Sequence, residues 1–166
     1  MVNSDIEAGW NVVRVKIGDV SSVDAIKEIV SNTNIVFEDD IDYIFNDIPF
    51  VNGITNLYLQ IVPLKGVEVL DYGTLDEINS RIAKPLGLSL CPIDVLVAFC
   101  LQYPCMLSCG GLFVPVGSHG IYGLSLQKFN GEDKPYSRLI TCGWEGNQEA
   151  LCSDDCPGHL LLVKSV

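Results

Sequence analysis

Apolar residues recur at helical spacing in four stretches of the chain. The first, residues 23–30, follows Ser21 and Ser22, which are typical helix-capping residues. The second, residues 38–47, is short and acidic, and in the third Thr74 and Glu77 have the spacing of a capping box. The apolar positions of these three predicted helix faces are Val23, Ile26, Ile29, Val30, Ile41, Ile44, Phe45, Leu75, Ile78 and Ile82.

The fourth stretch, residues 92–102, is apolar on almost every side. Pro92 falls near its first turn, and Asp94 lies close to the positive end that a helix would have there. A helix without a polar face is typical of a protein interior. This stretch is therefore predicted to be the central buried helix, ended by Tyr103 and Pro104.

Strands are predicted from alternation of apolar and polar residues. Residues 55–64 alternate cleanly, and residues 9–17 alternate imperfectly but are rich in β-branched side chains. Beyond residue 110, short apolar segments separated by glycines predict four more strands, at 112–116, 121–129, 136–142 and 160–164. Asn130 and Gly131, between two of these segments, are typical of a hairpin turn.

Together the patterns predict an α+β fold, with about four helices followed by a mainly antiparallel β-sheet packed on the buried apolar helix. The 166 residues fit a single domain, helix-rich over 1–104 and β-rich over 105–166.

Charge narrows the choice of partners. The formal net charge is −11, so a basic surface for phosphates is missing and a nucleic-acid partner is not expected. The same charge disfavours an anionic membrane surface, and the longest apolar run, residues 95–101, is too short to span a bilayer. The acidic stretch 38–47 is interpreted as a solvated helix face that favours solubility, although a basic partner protein could also dock there.

Cysteine usage bears on the compartment. The chain is cysteine-rich, with seven cysteines, and its first residues show no secretory signal. Buried, reduced thiols in a soluble cytoplasmic protein are therefore expected.

The second half of the chain resembles an uncharacterised bacterial family of hypothetical proteins. The resemblance rests on VLVAFCLQYP at 95–104, GLFVPVGSHG at 111–120, Trp144 and the closing LLLVK at 160–164, beside family elements of the form LLAF…YP, VALGS, a Trp and FLVVR. NSDI at 3–6 is similar to an N-terminal segment of some members. These are packing residues, so the resemblance implies a shared fold and no chemistry.

A zinc site is one candidate for chemistry. Cys152, Cys156 and His159 are spaced C-x3-C-x2-H, and Cys142 lies ten residues upstream as a possible fourth ligand. The usual knuckle is C-x2-C, however, so ordinary loop thiols or a disulfide remain the alternative. No cofactor motif is present, which leaves zinc as the one candidate cofactor.

A cysteine nucleophile is the second candidate. Cys109 precedes two glycines whose backbone could supply oxyanion donors, and His119 or His159 could act as its base. Asp94, Asp154 or Asp155 could orient that histidine. The alternative is that His119 simply occupies a turn between glycines.

The third candidate is a binding surface in the polar segment 143–158. Trp144, Glu145 and Asn147 could form a platform for a sugar or a peptide, unless Trp144 instead closes the core. The leading hypothesis is a soluble binding or protein-interaction domain with a protein or small-molecule partner. A cysteine-dependent hydrolase or transferase using Cys109 and His119, or a zinc-stabilised interaction domain, is the alternative, so whether the protein is an enzyme stays open.

Overall fold

The computed structural model describes residues 12–46, 49–64, 74–106, 111–117, 120–127, 137–142 and 158–165. The strands in these ranges are β1 (Val12–Ile17), β2 (Ile35–Phe37), β3 (Thr55–Pro63), β4 (Leu88–Ser89), β5 (Leu112–Val116), β6 (Gly120–Gln127), β7 (Ser137–Cys142) and β8 (His159–Lys164). The helices are α1 (Val23–Asn32), α2 (Ile41–Phe45), α3 (Leu75–Ile78) and α4 (Asp94–Gln102). Helix α3 continues into a π-helical turn over Asn79–Ala83 and a 3-10 turn over Lys84–Leu86.

All eight strands belong to one strongly curled, mixed sheet. Its order is β1-β3-β8-β5-β6-β7-β2, and β4 pairs with the end of β8. The β5–β8 and β2–β7 pairs are parallel, whereas the other pairs are antiparallel. Strands β1 and β2 therefore form the two edges of the sheet.

The predicted α+β arrangement of helices followed by a sheet is wrong. Strands β1 to β4 all precede residue 104, and the described residues form mostly sheet with only four short α-helices. The single elements were largely predicted; their assembly was not. Val13 pairs with Leu59, and Leu59 pairs in turn with Val163. Pairings between residues so distant in sequence are set by tertiary packing, which local periodicity does not encode.

The central strand β8 is buried on both faces. Leu161 packs into the larger apolar cluster with α1, α2 and α4, whereas Leu160 and Leu162 pack into a second cluster with α3 on the other face. All three leucines are 0% exposed. Since successive side chains of a strand point to opposite faces, this apolar run places helices on both sides of the sheet.

Helix α4 also covers the edge of the sheet. The Gln102 side-chain amide accepts a hydrogen bond from the Lys16 backbone N–H (3.0 Å) and donates one to the Lys16 carbonyl (2.7 Å). The Tyr103 hydroxyl donates to the carbonyl of Arg14 at 2.7 Å. These bonds take up polar groups on the outer edge of β1, which would otherwise be open to pairing with another strand. They also fix the carboxyl end of α4 against β1.

The predicted helix starts are confirmed in detail. The Ser22 hydroxyl accepts from the backbone N–H of Ala25, and Thr74 and Glu77 form a complete capping box. Within the described ranges, no helix is both long enough and apolar enough to cross a membrane.

Candidate functional site

Most of the sequence-predicted site residues lie outside the described residues and stay predictions. These are the proposed nucleophile and base, the binding platform, two of the proposed zinc ligands and two of the proposed orienting acids: Cys109, His119, Trp144, Glu145, Asn147, Cys152, Cys156, Asp154 and Asp155.

The other two proposed zinc ligands fall on different strands. Cys142 is the last residue of β7 and His159 is the first residue of β8, and strands β5 and β6 lie between them in the sheet. The backbone N–H of His159 donates to the Gly111 carbonyl at 3.0 Å. Among the described residues, no group of three or more metal-ligating side chains comes together.

Asp94, one of the acids considered as an orienter of His119, has a backbone partner instead. Both of its carboxylate oxygens lie 3.3 Å from the backbone nitrogen of Val51, which donates to them. The side chain is buried at the first residue of α4, and burial raises the pKa of this carboxyl above its ordinary value. Its position at the positive end of the helix favours the ionised form.

Arg138 is a second buried charge, at the opposite end of α4. It lies in β7 and is only 3% exposed. Its backbone N–H donates to the carbonyl of Asn34 at 2.9 Å, which fixes the strand beside the end of α1. Its Nη2 donates to the carbonyls of Tyr103 (2.8 Å) and Met106 (2.7 Å), just beyond α4. The guanidinium therefore sits where the helix dipole favours a positive charge.

Those two hydrogen bonds leave most of the guanidinium unused. A guanidinium carries five N–H bonds, and both hydrogens of Nη2 are engaged. Within the described ranges, three buried side-chain polar atoms have no hydrogen-bond partner; two are Nε and Nη1 of Arg138, and the third is Oγ of Ser137. The ion pairs found there, Lys16–Asp19 and Lys27–Asp42, do not involve Arg138. A buried, unpaired charge of this kind calls for an explanation.

A cavity of about 270 Å³ lies against Arg138. Its inner wall is made by Ile35, Cys100 and Arg138, which are buried. Its outer wall is made by Thr33, Asn34, Leu101 and Pro104, most of which are exposed. The cavity is thus open to solvent, and Arg138 forms part of its buried wall. We call these seven residues the Arg138 pocket.

Electrostatics fix the charge states in the Arg138 pocket. Burial raises the pKa of the Cys100 thiol to about 12, although the charge of Arg138 acts to lower it. Burial also lowers the pKa of Arg138, but an arginine side chain stays protonated in proteins. At neutral pH the pocket therefore presents one positive charge and a neutral thiol. This combination suits the binding of an anion and does not provide an activated cysteine nucleophile.

Sequence reasoning missed Arg138, although a signal was present. The residue falls in the predicted strand 136–142, where alternation places it on the same face as Ile140. Ile140 is 0% exposed, so that face is the buried one. A charged residue in register with the core-facing positions of a strand is the observation that would have identified this site.

Comparison of the chain with protein-family models, with curated proteins and with solved structures finds no match. The resemblance of the second half to an uncharacterised bacterial family therefore stays a prediction.

Proposed function

We propose that this protein is a binding protein that holds a small anion in the Arg138 pocket, with the guanidinium supplying the charge. One observation carries the proposal: Arg138 is 3% exposed, its Nε and Nη1 have no hydrogen-bond partner in the described part of the chain, and it borders a cavity of about 270 Å³. An uncompensated buried ion is destabilising by several kcal/mol in real proteins, to order of magnitude, so a bound counterion would stabilise the fold.

The geometry of the guanidinium limits how the anion is held. Each of the two paired-donor edges of an arginine uses one hydrogen of Nη2, and both of those hydrogens already go to the Tyr103 and Met106 carbonyls. Nε and Nη1 are themselves closed off from water in this structure, so an anion must displace part of the pocket wall to reach them. It then meets single N–H donors instead of the two parallel donors that make an arginine–carboxylate pair strong. We expect a dissociation constant from micromolar to millimolar, not nanomolar.

Binding is favoured over catalysis by the composition of the Arg138 pocket. Its described lining residues offer two potential nucleophiles, the Cys100 thiol, which stays neutral at pH 7, and the Thr33 hydroxyl, and none of the other five is a general base that could activate them. Cys91, Cys100 and Cys105 are free thiols, which supports the proposed cytoplasmic setting.

Anion-dependent stability tests the proposal. Sodium acetate, inorganic phosphate and sodium chloride would each be titrated at constant ionic strength while thermal unfolding is followed. A ligand that binds only the folded state stabilises it by about 2.7 kcal/mol at one hundred times its dissociation constant. We expect a saturable rise in melting temperature in the wild type that Arg138→Met abolishes, and that persists in Arg81→Met, which removes an exposed arginine instead.

Two further measurements keep the test decisive. Without added anion, Arg138→Met should change the free energy of unfolding by less than about 1 kcal/mol, because the desolvation cost of the ion is lost together with its two hydrogen bonds. Leu101→Trp retains Arg138 but fills the pocket from its exposed wall, and it should also abolish the response. Equal stabilisation of the wild type and both pocket variants would show a general salt effect and overturn the proposal.

A further inference from the structure

The shape and chemistry of the Arg138 pocket restrict its ligand further, if the proposed anion binding holds. We infer that the ligand is a monocarboxylate with a compact apolar body, about ten non-hydrogen atoms in all. The inference rests on three features of the pocket: its single charge, the state of its polar groups and its volume.

The single positive charge of the Arg138 pocket matches a ligand with one negative charge. Arg138 is the one cation among the described lining residues, and the whole chain carries a net charge of −11. A dianion such as a phosphate monoester would bring a second negative charge into a site with one cation. That excess charge would be desolvated without compensation, which is unfavourable.

The hydroxyl on the pocket wall cannot replace a missing cation. Thr33 Oγ1 donates its hydrogen to the carbonyl of Ile29 at 2.8 Å. A hydroxyl has one hydrogen, so the lone pairs that Thr33 leaves toward the pocket are acceptors, and these repel an anionic oxygen. A carboxylate, with two oxygens and one charge, needs fewer donors than a phosphoryl group with three.

Apart from the exposed Asn34, the rest of the wall favours an apolar body. Ile35, Leu101 and Pro104 present hydrocarbon surface, and the Cys100 thiol is neutral. An engineered cavity of about 150 Å³ lined by apolar side chains binds benzene. The Arg138 pocket, at about 270 Å³, has nearly twice that volume and so matches a benzene-sized group joined through a short link to a carboxylate. Because the carboxylate of the ligand is held by single N–H donors, most of the affinity must come from burial of its apolar group.

Titration calorimetry with a matched ligand series tests the inference on the wild-type protein. Acetate carries the charge without a body; phenylacetate carries both; phenylacetamide has the same body without the charge; and phenyl phosphate has a similar body with a second charge. Burying each added methylene-sized group should tighten binding about fourfold. We therefore expect phenylacetate to bind at least tenfold more tightly than acetate, phenylacetamide and phenyl phosphate.

A change in the wall should change the preferred size. Leu101→Ala enlarges the cavity and should shift the optimum from phenylacetate toward 3-phenylpropionate, whereas Leu86→Ala, an exposed leucine outside the pocket, should leave the order unchanged. Equal affinity for acetate and phenylacetate, or tighter binding of phenyl phosphate, would overturn the inference while Arg138-dependent anion binding stood. Absence of binding by every carboxylate and by phosphate would overturn both.

Discussion

The two ends of helix α4 carry two buried charges that the protein treats differently. At the amino end, the Asp94 carboxylate accepts from the Val51 backbone N–H and borders a cavity of only about 60 Å³. At the carboxyl end, Arg138 donates two of its five N–H bonds and borders a cavity of about 270 Å³. The first space is smaller than the cavity of about 150 Å³ that binds benzene, whereas the second is larger. Unused donors together with room, and not burial alone, separate the candidate site from a structural charge.

The helix itself explains why both charges are tolerated. A carboxylate at the amino end and a guanidinium at the carboxyl end each gain about 0.3–1 kcal/mol from the helix dipole, and more when partly buried. Burial acts in the opposite direction, raising the pKa of Asp94 and lowering the pKa of Arg138. Both buried charges therefore depend on α4 staying in position.

Removing the anchor of α4 is expected to have the largest effect. Phe99 is 0% exposed, and its ring stacks on Tyr103 with 5.3 Å between ring centroids. Phe99→Ala should lower the free energy of unfolding by about 3–5 kcal/mol, because truncating a buried phenylalanine loses its contacts and leaves a cavity. Denaturant unfolding measures this loss. Leu86→Ala, at a 56% exposed position, should cost less than about 0.5 kcal/mol. A loss below 1 kcal/mol for Phe99→Ala would contradict the claim that Phe99 holds α4, and with it both buried charges, in position.

The rate of Cys100 alkylation reports how burial and the Arg138 charge set the pKa of this thiol at the carboxyl end of α4. With a pKa of about 12 against an ordinary value of 9.0, Cys100 has a thiolate fraction roughly 10³-fold lower than an unperturbed thiol at pH 8. Peptide-resolved alkylation should therefore modify exposed Cys105 first, Cys100 far more slowly and Cys91 most slowly. Burial raises the pKa of Cys91 as well, with no opposing charge.

Arg138→Met supplies the control for this prediction. Loss of the guanidinium should slow alkylation of Cys100 further, because the charge that lowers its pKa is gone, and should leave Cys91 unchanged. Alkylation of Cys100 as fast as that of Cys105 in the folded wild type would show that the carboxyl end of α4 opens to solvent.

The Asp94 and Arg138 ends of α4 also differ in how far the sequence predicts them. Helical spacing predicts the bounds of α1 and α4 to within two residues, since this signal acts within a few positions of the chain. The capping box predicts the start of α3, but the predicted continuation to Ile82 is a π-helical turn. Asp94 was correctly placed at the positive end of a buried helix for the same reason. Strand β2, with three residues, and β4, with two, were missed, because such short segments show no periodicity.

The Arg138 pocket could not be predicted by the same means. It joins the turn after α1, the end of α4 and strand β7, and the carbonyls that Arg138 contacts lie 35 and 32 residues away. That proximity follows from the parallel pairing of β2 with β7, in which Ile35 lies opposite Arg138. Pattern reasoning was drawn to cysteines and histidines, whose chemistry is recognisable by type, and overlooked an arginine whose importance lies in its burial.

Substitution of Asp94 should lower the free energy of unfolding by less than Phe99→Ala does. Asp94→Ala leaves the Val51 N–H without its acceptor and should lower the free energy of unfolding by about 1–3 kcal/mol. Asp94→Asn keeps an acceptor oxygen and should lose less. Asp24→Asn, which removes an exposed carboxylate from the first turn of α1, is the matched control and should cost less than about 1 kcal/mol.

The smallest expected effect is the pH dependence of the stability difference between the wild type and Asp94→Asn. Because burial raises the pKa of Asp94 above 3.8, the folded state binds this proton more tightly than the unfolded chain does. The stabilisation linked to protonation is complete below about pH 4 and is lost as the pH rises through the folded-state pKa. The wild type should therefore lose stability relative to Asp94→Asn as the pH rises above about 4, as followed by chemical denaturation at each pH. The opposite slope would mean that hydrogen bonds and the helix dipole outweigh burial at Asp94, so that the amino end of α4 stabilises the ionised carboxylate.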